Sequence, residues 1–239
     1  MPVYLNEISQ KNVAALRRAL SSVHEQNYAS RYEILIVDDG STLPIENLAD
    51  VIGRDFLAAT RFVTLPRNGG ISAALNRGIR EARYPLIARL DCDDRWYPTK
   101  IEKQLALFAS DPDLSVTATG MTRVDADGKL IDTHIRPGNW RGILRFFVEI
   151  GCPFPHGSVV ARKETYLALG GYPQDPRFRH CEDFALWGRW LRFFKPAMIE
   201  EPLYEYTVSD GSVSGLHSAQ QARATGLVIA AFQRLDLTD

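Results

Sequence analysis

Glu33-Ile34-Leu35-Ile36-Val37-Asp38-Asp39-Gly40-Ser41 is a short apolar run that stops at two carboxylates and a turn. An apolar run of this length without polar alternation is the pattern of a strand buried on both faces. Upstream, Val13, Leu16, Leu20 and Val23 recur at spacings of three and four, which predicts a helix over residues 9–25. Downstream the alternation continues: a helix over 45–52, a strand over 61–65, a helix opening after Asn68-Gly69-Gly70 and running to about 82, and a strand over 85–90 that ends in Asp91-Cys92-Asp93-Asp94. Strands separated by helices read as parallel βαβ units, whose ligands bind outside the carboxyl ends of the strands. Both acidic clusters fall at such ends.

The second half is less regular. Helical periodicity carries Ile101, Leu105 and Phe108, then residues 139–150, 163–169, 182–194 and a closing stretch, 216–235. Strand-like runs cover 114–119, 158–161 and 197–206, Asp125-Ala126-Asp127-Gly128 reads as a turn between two short strands, and Gly170-Gly171-Tyr172-Pro173 as a break. These strands lack regular intervening helices, so a mixed sheet is expected here. The fold class is therefore α/β, a Rossmann-like, mostly parallel sheet flanked by helices with a mixed-sheet second half.

Composition narrows the function. The chain has 239 residues, 45% hydrophobic and 24% charged, with a formal net charge of −1, so it can bury a sizeable core and carries no basic footprint for nucleic acid. Cys92, Cys152 and Cys181 are odd in number and widely spaced, against both a disulfide framework and a cysteine metal site, which fits a reducing cytoplasm. No uncharged run reaches the roughly 18 residues of a spanning helix, and the start has no signal-peptide pattern, so a soluble protein is expected, with membrane-surface contact left open. Dinucleotide, P-loop, zinc-protease and nucleophile-elbow motifs are absent from the sequence.

Three acidic groups remain to be explained. Asp38-Asp39-Gly40-Ser41 suits a tight turn on local grounds, yet a carboxylate at a strand's end also accepts the imide N–H of a base. Asp91, Asp93 and Asp94 crowd three carboxylates into four residues, an arrangement that raises their pKa values unless a cation offsets the repulsion. Oxygen ligands in a loop suit Mg²⁺ or Mn²⁺ on a phosphate, against the plainer reading of a solvated acidic turn. Glu182 and Asp183 open an apolar helix, where they favour the macrodipole or, alternatively, supply a general base. His156 is a candidate for substrate contact, although a lone histidine is more often structural. Trp187 and Trp190, at i and i+3, read as core in preference to a sugar platform.

Taken in order, Pro2-Val3-Tyr4, Ile36-Val37-Asp38-Asp39-Gly40-Ser41, Asn68-Gly69-Gly70-Ile71-Ser72, Ala74-Leu75-Asn76-Arg77-Gly78-Ile79, Leu90-Asp91-Cys92-Asp93-Asp94 and Glu182-Asp183 resemble the inverting family 2 glycosyltransferases of GT-A fold. The resemblance implies one GT-A domain, with residues 1–96 binding the nucleotide-sugar and 97–239 the acceptor. It implies that Pro2, Tyr4, Asp39, Asn68, Asn76 and Asp91 contact the nucleotide-sugar, Asp39 at the base and Asp91 at the ribose. Asp93 would hold Mn²⁺ or Mg²⁺, Asp183 would deprotonate the acceptor hydroxyl, and His156 and Glu182 would touch acceptor or donor. The implied partners are a nucleotide-sugar, most commonly a UDP-sugar, and a glycan or lipid-linked glycan. The enzyme would be of hexosyl- or N-acetylhexosaminyl-transferase type, in polysaccharide or glycoconjugate synthesis, at the inner face of the membrane or free in the cytoplasm.

Two departures from the family pattern set expectations of their own. The family carries apolar residues ahead of Pro-Val-Tyr as a first strand, so either that strand is missing or the natural start lies upstream, and an added strand is expected to stabilise the protein. Thr207 and Ser209 stand where the family often has Arg and His, which puts a phosphate or metal contact there in doubt. A catalytically silent nucleotide-sugar or glycan-binding domain is the alternative of a different class. A sugar-phosphate nucleotidyltransferase is disfavoured by the lack of a Gly-rich, Arg-containing loop near the amino end.

Overall fold

β1 (Pro2–Val3), β2 (Ile34–Asp38) and β3 (Thr60–Thr64) form a parallel three-stranded sheet in that order, with Pro2 opposite Val37 and Ile34 opposite Thr60. The computed structural model describes residues 1–5, 9–28, 31–42, 53, 56, 60–208 and 218–234. The helix anticipated over 45–52 lies outside them, as does Ser209. Helix α1 (Gln10–His24) starts where the Ser9 hydroxyl accepts the Asn12 N–H at 3.1 Å, and it buries Val13, Leu16 and Leu20 against the sheet as their spacing requires. Helix α2 (Ile71–Glu81) follows Gly70, whose φ of 83° is open to glycine without strain.

A second, six-stranded sheet runs β4 (Leu86–Ala88), β8 (Val160–Arg162), β6 (Leu114–Val124), β9 (Lys195–Thr207), β5 (Arg95–Trp96), with β7 (Leu130–His134) also on β6. Its pairings are mixed: β6 and β9 are parallel, and the others are antiparallel. Two expectations are corrected here. The strand expected over 85–90 as a further parallel βαβ member is β4, antiparallel to β8, because an apolar run fixes burial and not the direction of its neighbour. The strand expected to end at 119 runs on to Val124, since β7 and β9 pair its polar far end.

Helices α3 (Lys100–Ser110), α4 (Trp140–Glu149), α5 (Lys163–Ala168), α6 (Glu182–Phe193) and α7 (Ser218–Arg234) are the remaining α-helices among the described residues, beside short 3-10 turns at His156–Ser158 and Pro176–Phe178. The main core lies where α6 meets α4, β6 and β8: Trp187 and Trp190 are fully buried, edge-to-face at 5.5 Å, and Phe147 stacks on Phe184 at 4.4 Å. Both tryptophans are thus packing residues, as their spacing suggested.

β1 and β4 each end their sheet, and between β2 and β4 lies an apolar slot of about 430 Å³ lined by Leu35, Val37, Ala74, Ile79, Leu86 and Ile87. Among the residues lining it, Met1 donates from its amino group to Leu35 O at 2.9 Å, and burial pulls the pKa of that group down from 8.0 to about 5. The slot has the place of a strand between two sheet edges, roofed by helix on either face.

Candidate active site

The turn after β2 is tied down from several sides. Asp38 Oδ1 accepts the Ser41 N–H at 2.9 Å, Ser41 Oγ accepts the Leu5 N–H at 2.8 Å, and Asp39 N–H donates to Val3 O at 2.9 Å. Asp39 itself is buried, and its two oxygens accept Gly69 N–H and Gly70 N–H, both at 2.8 Å. Burial raises its pKa and those two N–H groups oppose the rise. Gly40, at φ 68°, lies so close to the next loop that a Cβ would sit 2.4 Å from the Arg67 carbonyl carbon. The turn and the loop before α2 therefore form one rigid rim at the strand ends. Tyr4 and Asn68 are exposed on or beside it, whereas Pro2 is buried within β1.

Asn76 is corrected by its surroundings. Its side chain is buried in α2, where Nδ2 donates to Tyr172 O and Oδ1 accepts Tyr172 N–H, each at 2.8 Å. The amide anchors the Gly171-Tyr172 segment and presents nothing to a nucleotide.

Beyond β4, three neighbouring carboxylates have three different environments. Asp91 is held by Arg89 through both oxygens, Nη1 to Oδ2 at 2.6 Å and Nη2 to Oδ1 at 2.5 Å. Asp94 is fully buried, where Tyr204 OH donates to one oxygen and Thr207 N–H to the other at 2.8 Å. Asp93 is exposed, and its carbonyl, not its carboxylate, takes the bonds from Arg18 Nη2 at 2.9 Å and Thr207 Oγ1 at 2.7 Å. Desolvation in the cleft, then Asp91, raises the Asp93 pKa. Asp93 is thus the carboxylate of the three with no side-chain partner in hand to oppose a cation.

Among the described residues no group of three or more His, Cys, Asp or Glu is placed to hold a metal ion. A single carboxylate nonetheless fits Mg²⁺ or Mn²⁺ in the mode in which phosphate oxygens and waters complete the coordination. Thr207 braces this loop, its hydroxyl on the Asp93 carbonyl and its backbone N–H on the Asp94 carboxylate. Cys92 is partly buried against the cluster of Leu16, Leu20 and Ile36, a filler and not a ligand.

Asp183 lies in the first turn of α6, within the field of Arg89. Oδ1 accepts the Phe184 N–H at 2.7 Å, and the Cys152 thiol lies 3.6 Å from Oδ2. Burial raises its pKa, against the opposing pull of the Phe184 N–H and of Arg89. Glu182 is likewise raised by burial. His156 Nε2 bonds the Tyr172 hydroxyl at 2.7 Å, and burial, then Arg89, pushes its pKa well down, so the ring is neutral. Arg89 exerts a field on Asp91, Asp183, His156 and Tyr172 alike, which gathers both sides of the cleft around one guanidinium. Sequence reasoning missed Arg89, Arg18, Tyr172 and Cys152. The signal for Arg89 was present, a charge at the end of an apolar run and two residues before Asp91.

Comparison with known proteins places the whole chain. Residues 1–168 match the model of glycosyl transferase family 2. EpsE of Bacillus subtilis is 29% identical over 198 residues, 80% of this chain and 67% of that protein. The amylovoran biosynthesis glycosyltransferase AmsE of Erwinia amylovora is 27% identical over 183 residues, 76% of this chain and 65% of that one. The chain thus spans about two thirds of the length of these relatives. Among solved structures, S. aureus TarS 1-349 in complex with UDP-GlcNAc superposes with a TM-score of 0.67 at 16% identity, covering 97% of this chain and 70% of TarS 1-349.

Proposed function

Because the chain belongs to glycosyl transferase family 2 and has the GT-A fold, we propose that it transfers a sugar from a nucleotide-sugar, a UDP-sugar first, to a hydroxyl of a glycan or lipid-linked glycan in polysaccharide synthesis. The observation that carries the reading is the set of carboxylates near one guanidinium: Asp91 clamped by Arg89, Asp94 buried, Asp93 open, and Asp183 under the pull of the same Arg89 with a raised pKa. The UDP and UDP-GlcNAc complexes of TarS make uracil the first base to test, and the names of AmsE and the O-antigen glycosyltransferase WbnJ of Escherichia coli make a surface glycan the first acceptor.

In this mechanism the rim of Asp39 and residues 68–70 receives the base, and Asp91 accepts from the ribose hydroxyls. A Mg²⁺ or Mn²⁺ held at Asp93 would stabilise the negative charge that develops on the departing diphosphate. Asp183 takes the proton of the acceptor hydroxyl, which attacks the anomeric carbon opposite the leaving group. A single displacement inverts the configuration, and holding both partners in line supplies much of the rate. His156, bonded to Tyr172, helps line the acceptor side.

The test is calorimetry with UDP, with and without Mn²⁺, followed by transfer assays over a panel of UDP-sugars and the anomeric configuration of the product. Metal-dependent binding and an inverted product are expected. Equal affinity with and without metal would remove Asp93 from its role, and binding without turnover across the panel would make the protein a silent binding domain.

A further inference from the structure

Arg89 is nearly buried at the end of β4, 7% exposed, with its backbone N–H on Val159 O at 3.0 Å. Its two terminal nitrogens meet the two oxygens of Asp91 in an end-on fork. The guanidinium Nε is buried without a partner, so the site tolerates an incompletely bonded buried cation to keep the fork in place. Asp91 remains partly exposed, its side chain at 27%.

Each carboxylate oxygen has two acceptor directions. An end-on fork takes the inner one on each oxygen, and these are the two that a chelated cation would share. The outer pair stays free and points apart, a geometry suited to two separate hydroxyl donors. Resting on the function proposed above, we propose that Arg89 is a positioning residue that clamps Asp91 so that this carboxylate accepts the donor's ribose hydroxyls and is barred from chelating the metal. The clamp explains why adjacent carboxylates of one loop can serve different partners, the sugar hydroxyls at Asp91 and the cation at Asp93. Lysine could keep the charge but not the fork, because one ammonium cannot hold both oxygens in a plane.

The test uses R89K, D91N and the double variant, with two readouts that do not depend on turnover. In calorimetry with UDP and Mn²⁺, R89K and D91N should each weaken UDP by roughly 10–100-fold, the worth of hydrogen bonds to a well-placed charged group, and the double variant should be no weaker than D91N alone. In spin-resonance titration with Mn²⁺ and no nucleotide, D91N should leave Mn²⁺ affinity unchanged, while R89K, by freeing Asp91, should tighten it. Additive losses of UDP affinity, or a D91N protein that loses Mn²⁺ binding, would overturn the inference. The D91N titration decides the matter even if R89K does not fold. A parent protein that binds no UDP at all overturns the donor reading and this inference with it, whereas additivity in a parent that does bind UDP overturns this inference alone.

Discussion

Asp183 is where a capping role and a catalytic role part company. A carboxylate in the first turn of a helix interacts with the macrodipole, and its loss costs about 1 kcal/mol, whereas loss of a general base costs roughly 10²–10⁴-fold in rate. Burial raises the Asp183 pKa, so the ionised form is the one the fold disfavours. The stability this group contributes is present below its unfolded pKa of 3.8 and is lost as pH rises through the higher folded value. Asp183→Asn should therefore be at least as stable as the parent at pH 7–8, bind UDP and Mn²⁺ normally, and lose transfer by at least about 10²-fold. In the parent, kcat/KM should fall on the acid side at a pH above that of an ordinary aspartate. Melting curves, calorimetry and a pH–rate profile check the three statements, and near-parental transfer by Asp183→Asn would move the base to Glu182.

At the scale of elements, the cleft is assembled by contacts between segments far apart in sequence. Asn76 of α2 grips the backbone of Tyr172, and Tyr172 in turn bonds His156. Gly171, at φ 74°, has to be a glycine here, since a Cβ would come within 2.3 Å of Asn76 Oδ1. Asn76→Ala would leave the buried N–H and C=O of Tyr172 unpaired, at about 1–3 kcal/mol each. Urea denaturation should show a loss of that size, with UDP affinity of the folded protein unchanged in calorimetry. A variant of parental stability with weakened UDP binding would instead restore Asn76 as a nucleotide contact.

For the whole molecule, the slot between β2 and β4 is an apolar gap of about 430 Å³ beside the edges of the two sheets. A short apolar extension ahead of Met1 would run along β2 in the register already set by Pro2 and Val37, bury apolar surface on both faces and remove the buried amino group from the slot. That amino group is disfavoured when charged, so its contribution to stability is complete above pH 8.0 and is lost as pH falls towards about 5. A valine- and isoleucine-rich extension of five residues should raise Tm, by about 2–4 °C for each kcal/mol gained at this chain length, and should flatten the fall in stability between pH 8 and 5. A lysine-rich extension should do neither, and an unchanged Tm with the apolar one would show that the slot does not accept a strand.

The sequence by itself determined the elements and the rim of the cleft. Ile34 to Val37 had to be a buried strand and the period of Val13, Leu16 and Leu20 a helix, because these follow from local periodicity and from where charge interrupts an apolar run, which also sets the acidic clusters beyond the strand ends. The tertiary structure alone decided what each polar side chain does. Asp39, Asn76, Asp91 and Asp94 are acceptors of similar appearance in the sequence, yet they hold a loop, a distant backbone, an arginine and a buried tyrosine respectively. Their partners are set by strand direction and by contacts across as many as 113 residues, as between Asp94 and Thr207. A hydrogen bond depends on the position of two groups at once, and one-dimensional spacing specifies only one of them.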